Sequence, residues 1–248
     1  MIEIILFFLI AFLLLVFFYK QVSTEFTILQ IEGDKLDSLS DPLSENSPIV
    51  IRGLGQPKVL TLDILKTTPR IQTLPVGTGV TLGSYLESPK GQSLATLPPD
   101  LRRNLANELG LQIWAEHVWF QRIKEEYFYG AVMSLSTEAY LSSAGMRQTI
   151  AAHTLLFPTN GTFTCSIFMS ASTKFLPKGW EGLFLTDLSP SQCPLLSEVQ
   201  YMDIVLRPGH MLIVPPHWIV SMKCQDEVPA FALIEVHHPI SSLAAALA

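Results

Sequence analysis

Six histidines carry most of the chemistry this sequence could perform: His117, His153, His210, His217, His237 and His238. Imidazole is the commonest transition-metal ligand, and it is the side chain that exchanges protons near neutral pH. The spacing does not gather these residues. His210 and His217 flank one apolar strand and so lie roughly 20 Å apart at strand rise. His237 and His238 are adjacent, and an extended chain points them to opposite faces. His153 precedes a strand. Carboxylates that could join His153, His210 or His217 in a metal site are Asp187 and Asp203. For each histidine, a surface or locally hydrogen-bonded role is the simpler reading. The chain has no nucleophile elbow, phosphate loop or Cys/His nucleophile pairing. Cys165, Cys193 and Cys224 lack metal-site spacing. Their odd number leaves at least one thiol free, keeps a Cys193–Cys224 bridge open, and suggests a reducing compartment. The net charge of -6, a pI near 5.5 and the lack of a Lys/Arg cluster argue against nucleic acid as a partner.

The elements that must position these residues differ along the chain. Hydrophobic residues are 48% and charged residues only 15%, and much of that excess sits at the N-terminus. Residues from Ile4 to Tyr19 form an unbroken apolar run, which with Ile2 approaches the ~17–25 residues of a membrane-spanning helix. A cleaved signal peptide fits poorly, because no basic segment precedes the run and no small-residue cleavage site follows it. The expectation is a single-pass membrane anchor, with Tyr19 and Lys20 at the headgroup boundary and the body in the cytosol. The Asn160-Gly161-Thr162 sequon would matter only in the opposite orientation.

Beyond a polar stem, the pattern is first mixed and then β. Pro98-Pro99-Asp100 opens a helix with Asp100 as a plausible N-cap and Leu101, Leu105 and Leu109 as a stripe. Gly110 breaks it. A second helix carries Ile113, Trp114, Val118, Phe120, Ile123 and Tyr127 as an apolar face. From His153 onward, short strands alternate with Gly and Pro turns, the pattern of a barrel or sandwich.

One segment is especially distinctive. Pro208-Gly209 makes a turn, Met211 to Val214 is an apolar strand, Pro215-Pro216 makes a second turn, and a strand starts at Trp218. This resembles the closing hairpin of a cupin-type barrel of the JmjC-like hydroxylase group. Ser47-Pro-Ile-Val-Ile-Arg-Gly53 is similar to the group's opening strand, and Val80 to Leu86 is similar to its Thr-Leu helix start. Gly161-Thr-Phe-Thr164 is similar to the lead-in of its metal-binding strand. The resemblance runs from Phe26 to about Val236. It implies a mainly β fold with N-terminal helices (α+β), a double-stranded β-helix (cupin or jelly-roll) barrel preceded by a single transmembrane helix. The corresponding division is an anchor over 1–20, a stem with a first strand and loop over 21–46, the cupin-like domain over 47–240, and a tail over 241–248.

In that group a His-x-Asp/Glu pair and a distant His hold iron(II), and a Lys pairs with 2-oxoglutarate. The i, i+2 spacing puts both members of the pair on one strand face. Here the matching positions are Ile167 and Met169 for the pair, Val220 for the distant His, and Glu181 for the Lys. Alkyl chains offer iron no lone pair, thioethers favour soft ions, and an acidic side chain repels a dicarboxylate. The resemblance therefore implies a membrane-anchored cupin-like protein without catalysis, cofactor or metal, serving as a binding or structural module for an unknown protein partner. The alternative is an iron(II)- and 2-oxoglutarate-dependent hydroxylase with displaced ligands drawn from His153, His210, His217, Asp187 and Asp203. The inward face Phe163, Cys165, Ile167, Met169 would suit an apolar small molecule, although a filled core needs none.

Overall fold

Gly and Pro punctuation cuts the β-prone sequence into short strands, and the computed structural model assembles them into two main sheets. It describes residues 2–21, 26–55, 59–77, 79–87, 97–125, 132–189, 191 and 193–246. The larger sheet has the order β1 (Leu29–Glu32), β2 (Ile49–Arg52), β10 (Met211–Val214), β7 (His153–Asn160), β12 (Ala230–His237), β5 (Ser134–Tyr140). The smaller has the order β6 (Ala144–Gln148), β11 (Trp218–Cys224), β8 (Phe163–Met169), β9 (Met202–Leu206). All pairings in these sheets are antiparallel except β1 with β2. A separate two-stranded ribbon joins β3 (Pro75–Gly77) to β4 (Val80–Thr81).

The two faces of the larger sheet are both buried. One packs on helices, with Leu155, Phe157, Ile213 and Ile234 meeting Leu105, Leu111, Trp119 and Ile123. The helices are α2 (Ser40–Ser44), α3 (Leu62–Thr67), α4 (Pro69–Gln72), α5 (Leu82–Glu87), α6 (Pro99–Glu108), α7 (Leu111–Ala115) and α8 (Gln121–Glu125). The other face packs on the smaller sheet, where Leu156, Phe231 and Leu233 meet Phe163, Cys165, Ile167, Trp218 and Val220. The period-2 alternation of β8 places Phe168 on the outer side, covered by Leu185 and Val199 from the turns that follow.

Several local expectations hold and two need adjusting. Leu105 and Leu109 are buried, Leu101 packs beside them, and Gly110, at φ +69°, separates α6 from α7. The N-cap of α6 is Pro98; Asp100 lies in the first turn, where its charge favours the helix N-terminus. The second helix is interrupted by π-type turns at Glu116–Phe120. A π-turn advances more residues per turn than an α-helix and shifts the apolar stripe out of phase. Val118, within these turns, is 38% exposed, and Ile113, in α7 before them, is 63% exposed. Tyr127 lies outside the described residues.

The barrel expectation is corrected. Among the described residues no strand of one sheet pairs with a strand of the other, so both sheets keep open edges at β1, β5, β6 and β9. The supposed closing hairpin is not a hairpin. β10 pairs with β2 and β7, β11 pairs with β6 and β8, and the Pro215-Pro216 turn carries the chain from one sheet to the other. Closure would bring edge strands to ~4.8 Å, whereas sheets stacked through large side chains sit ~10 Å apart. Phe163, Trp218 and Phe231, all fully buried between the sheets, impose the wider spacing. What remains of the expectation is a mainly β, α+β fold.

The membrane anchor is corrected too. Among the described residues no helix is long and apolar enough to cross a membrane. The N-terminal run forms α1 (Ile2–Gln21), which packs against α9 (Pro239–Ala246), burying Val16 and half-burying Ala11 and Phe12. A single-pass membrane location with a cytosolic body therefore lacks support.

Candidate functional site

The inter-sheet space is built from two facing rows. On β8 and β11, Ile167 stands directly opposite Val220, and Val220 stands opposite Arg147 on β6. Met202 extends this row beyond Ile167. On the larger sheet, Ser136, Glu235 and Thr154 form the corresponding row across β5, β12 and β7. Met169, one residue pair further along, stands opposite Trp218, whose ring stacks on Phe26 at 5.8 Å with 10° between the planes. The register thus brings buried Ile167 and Val220 and half-buried Met169 onto one patch, and that patch is apolar. Beside it, Tyr140, Arg147, Leu156 and Val220 line a small cavity with room for roughly one water molecule.

The other sequence candidates scatter. Glu181 is exposed in the turn after Gly179. Asp187 pairs with Lys223 on the outer side of the smaller sheet, and Asp203 accepts a 2.5 Å hydrogen bond from Ser166. His210 sits in the turn between β9 and β10, its Nδ1 buried without a partner. His217 occupies the Pro-Pro turn at φ +67°, its amide donating to the Thr149 carbonyl. His153 is buried on the face of β7 shared with Leu155 and Phe157, and burial first, then the His238 charge, lower its pKa to about 4. Among the described residues no group of three or more His, Cys, Asp or Glu side chains is disposed to hold a metal ion. The three cysteines are free thiols, which removes the Cys193–Cys224 bridge.

Sequence reasoning missed an ionic network at the β5–β6 edge of the inter-sheet space. Arg102 on α6 reaches Glu138 on β5 at 2.8 Å and stacks over the Tyr140 ring at 4.5 Å. Tyr140 donates to the same Glu138 oxygen at 3.1 Å and accepts from Arg147 at 3.3 Å. Arg147 crosses between the sheets to Glu235 at 2.5 Å, and His237 lies 3.7 Å from the other Glu235 oxygen. Burial raises the Tyr140 pKa, so the phenol stays protonated. Burial opposes ionisation of Glu235, but the His237 hydrogen bond and the Arg147 charge outweigh it and lower its pKa. Arg103 also reaches the other Glu138 oxygen at 3.5 Å, so three guanidiniums meet two carboxylates, each charge with a partner, which suits a tie between layers. A signal was present for Glu235, a lone acid inside the apolar run of β12 on an inward position of the alternation; Glu138 sits in a polar strand and gave none.

No family model matches the chain, and no curated protein matches it. A cupin or JmjC identity thus has no support beyond the residues that resemble those motifs.

Proposed function

We propose that this chain is a non-catalytic binding or structural module. The observation that carries the reading is the buried cross-strand pair of Ile167 and Val220. Both positions that the resemblance assigns to histidine ligands carry alkyl chains, packed against each other between the sheets. A metal would have to displace that packing and find lone pairs that these side chains do not own. Arg147, the cross-strand partner of Val220, is committed to Glu235. The experiment is a turnover assay on the full chain with iron(II), ascorbate and 2-oxoglutarate, reading succinate release. The expected result is no release above the protein-free control. Sustained release abolished by chelator would overturn the reading.

A further inference from the structure

β12 ends at His237 and α9 begins at Pro239, so His238 alone joins strand to helix. His238 is the N-cap of α9, because the Ser242 amide donates to its carbonyl at 2.9 Å as the first bond of the helix. Its ring stands where a serine or asparagine side chain usually caps. Nδ1 accepts from the Ser241 amide at 3.0 Å, and the Ser241 hydroxyl accepts from the His238 amide at 2.9 Å. Each residue satisfies a backbone N–H of the other, the reciprocal pattern of a capping box. His238 is 9% exposed and Ser241 fully buried. An amide can only donate, so this cap exists only while Nδ1 carries no proton. A serine or asparagine cap has no such condition.

We propose that His238 is an acid-operated latch: proton uptake on Nδ1 opens the cap of α9 and unseats α1, the apolar helix packed on α9. A proton there would set donor against donor and place a positive charge at the positive end of the helix dipole. The neighbouring strands offer no negative charge to offset it. β7 presents His153, and β12 presents His237. Glu235 is held by Arg147, and the one acid of β5, Glu138, by Arg102. On α1 the charged side chain described is Glu3, in the first turn and about 12 Å along the axis from half-buried Ala11. Burial first, then His237, lower the His238 pKa. The docked state therefore favours the neutral ring. Docking has full support above pH ~6.5, where a released histidine is also neutral, and loses it as pH falls below that value. With eight residues, α9 is too short to persist without its cap and its packing. Opening it would bare Val16, buried on α1, and Ala244, buried on α9. The latch lies outside the space between the sheets and does not rest on the reading of Ile167 and Val220.

The test is amide hydrogen exchange of the full chain at about pH 7.5 and about pH 5, corrected for intrinsic rates and read peptide by peptide. Protection over 239–246 should fall about 10-fold relative to β7 and β12 at the lower pH, the combined effect of a lost N-cap and an opposed charge. His238→Asn keeps a side-chain acceptor that does not titrate, and it should hold α9 protection constant. His153→Gln should leave the fall in place, which separates the latch from the global effect of a buried histidine. For α1, nitroxides on the exposed positions Leu13→Cys and Ser242→Cys, in a Cys224→Ser background, should move apart on acidification and stay together with His238→Asn. α9 protection that is constant in the parent chain, that falls equally in His238→Asn, or that falls only in step with β7 and β12 would overturn the proposal. A nitroxide separation that ignores pH would overturn the unseating of α1.

Discussion

Acid should destabilise this protein through His153 well before its surface carboxylates titrate. The ring lies buried at the start of β7, and its pKa falls from 6.5 to about 4 through burial and then the charge of His238. A lowered histidine pKa means that the unfolded chain binds the proton more readily than the folded one. Stability is therefore full above pH ~6.5, falls as pH drops through the window down to ~4, and is flat in this term below it. The full shift is worth about 3 kcal/mol. Between about pH 7.5 and pH 5 the same two pKa values give a loss of about 2 kcal/mol. His238, whose pKa is also lowered, first by burial and then by His237, adds in the same direction. Its Nδ1 accepts from the Ser241 amide at 3.0 Å at the start of α9, so protonation uncaps the helix on which α1 packs. The assay is urea unfolding of the parent chain and of His153→Gln at both pH values, compared as a difference of differences. Carboxylate contributions cancel in that comparison. The parent should lose about 2 kcal/mol more than the variant; equal losses in both would refute the buried, neutral assignment of His153.

Three further outcomes follow from packing. Arg147→Met strands Glu235 between the sheets and should cost about 2 kcal/mol in urea unfolding, below the full buried-pair figure because the Arg147 side chain is 32% exposed. Adding Glu235→Leu to it should recover most of the loss, and no recovery would mean that the pair is not the source. A Cβ at position 145 would come within 2.0 Å of the Gly182 carbonyl oxygen, so Gly145→Ala should cost about 3 kcal/mol, against little effect for Gly55→Ala. His217 holds φ +67°, so His217→Gly should raise stability by up to about 1 kcal/mol while its backbone bonds to Thr149 and Ser170 persist. A loss of that size would mean that the imidazole itself holds the turn.

Local features were legible in the sequence because they depend on neighbours in the chain. Gly110 breaks its helix because glycine enters the left-handed turn at φ +69° without a Cβ penalty, and the inward face of β8 follows from period-2 alternation. Ile167 and Val220 stand 53 positions apart in the sequence, and only the register of β8 with β11 makes them cross-strand partners. Sheet assignment was not legible, because nothing local in Pro215-Pro216 says whether the next strand pairs with the previous one or passes to the second sheet. The π-type turns also escaped, since Ile113 and Val118 have the same types whether buried or exposed. The Arg102–Glu138 and Arg147–Glu235 ties join residues distant in sequence, and spacing alone cannot reveal them. The apolar run of α1 reads as a membrane span in the sequence, yet among the described residues no helix is long and apolar enough to cross a membrane.

The most direct test of the central reading is iron content after equilibrium dialysis of the full chain against excess iron(II) under anaerobic conditions. An apolar Ile167–Val220 pair predicts background metal, below about 0.1 iron per chain, unchanged by 2-oxoglutarate. Retention of about one iron per chain, lost on substitution of His153, His210 or His217, would contradict it.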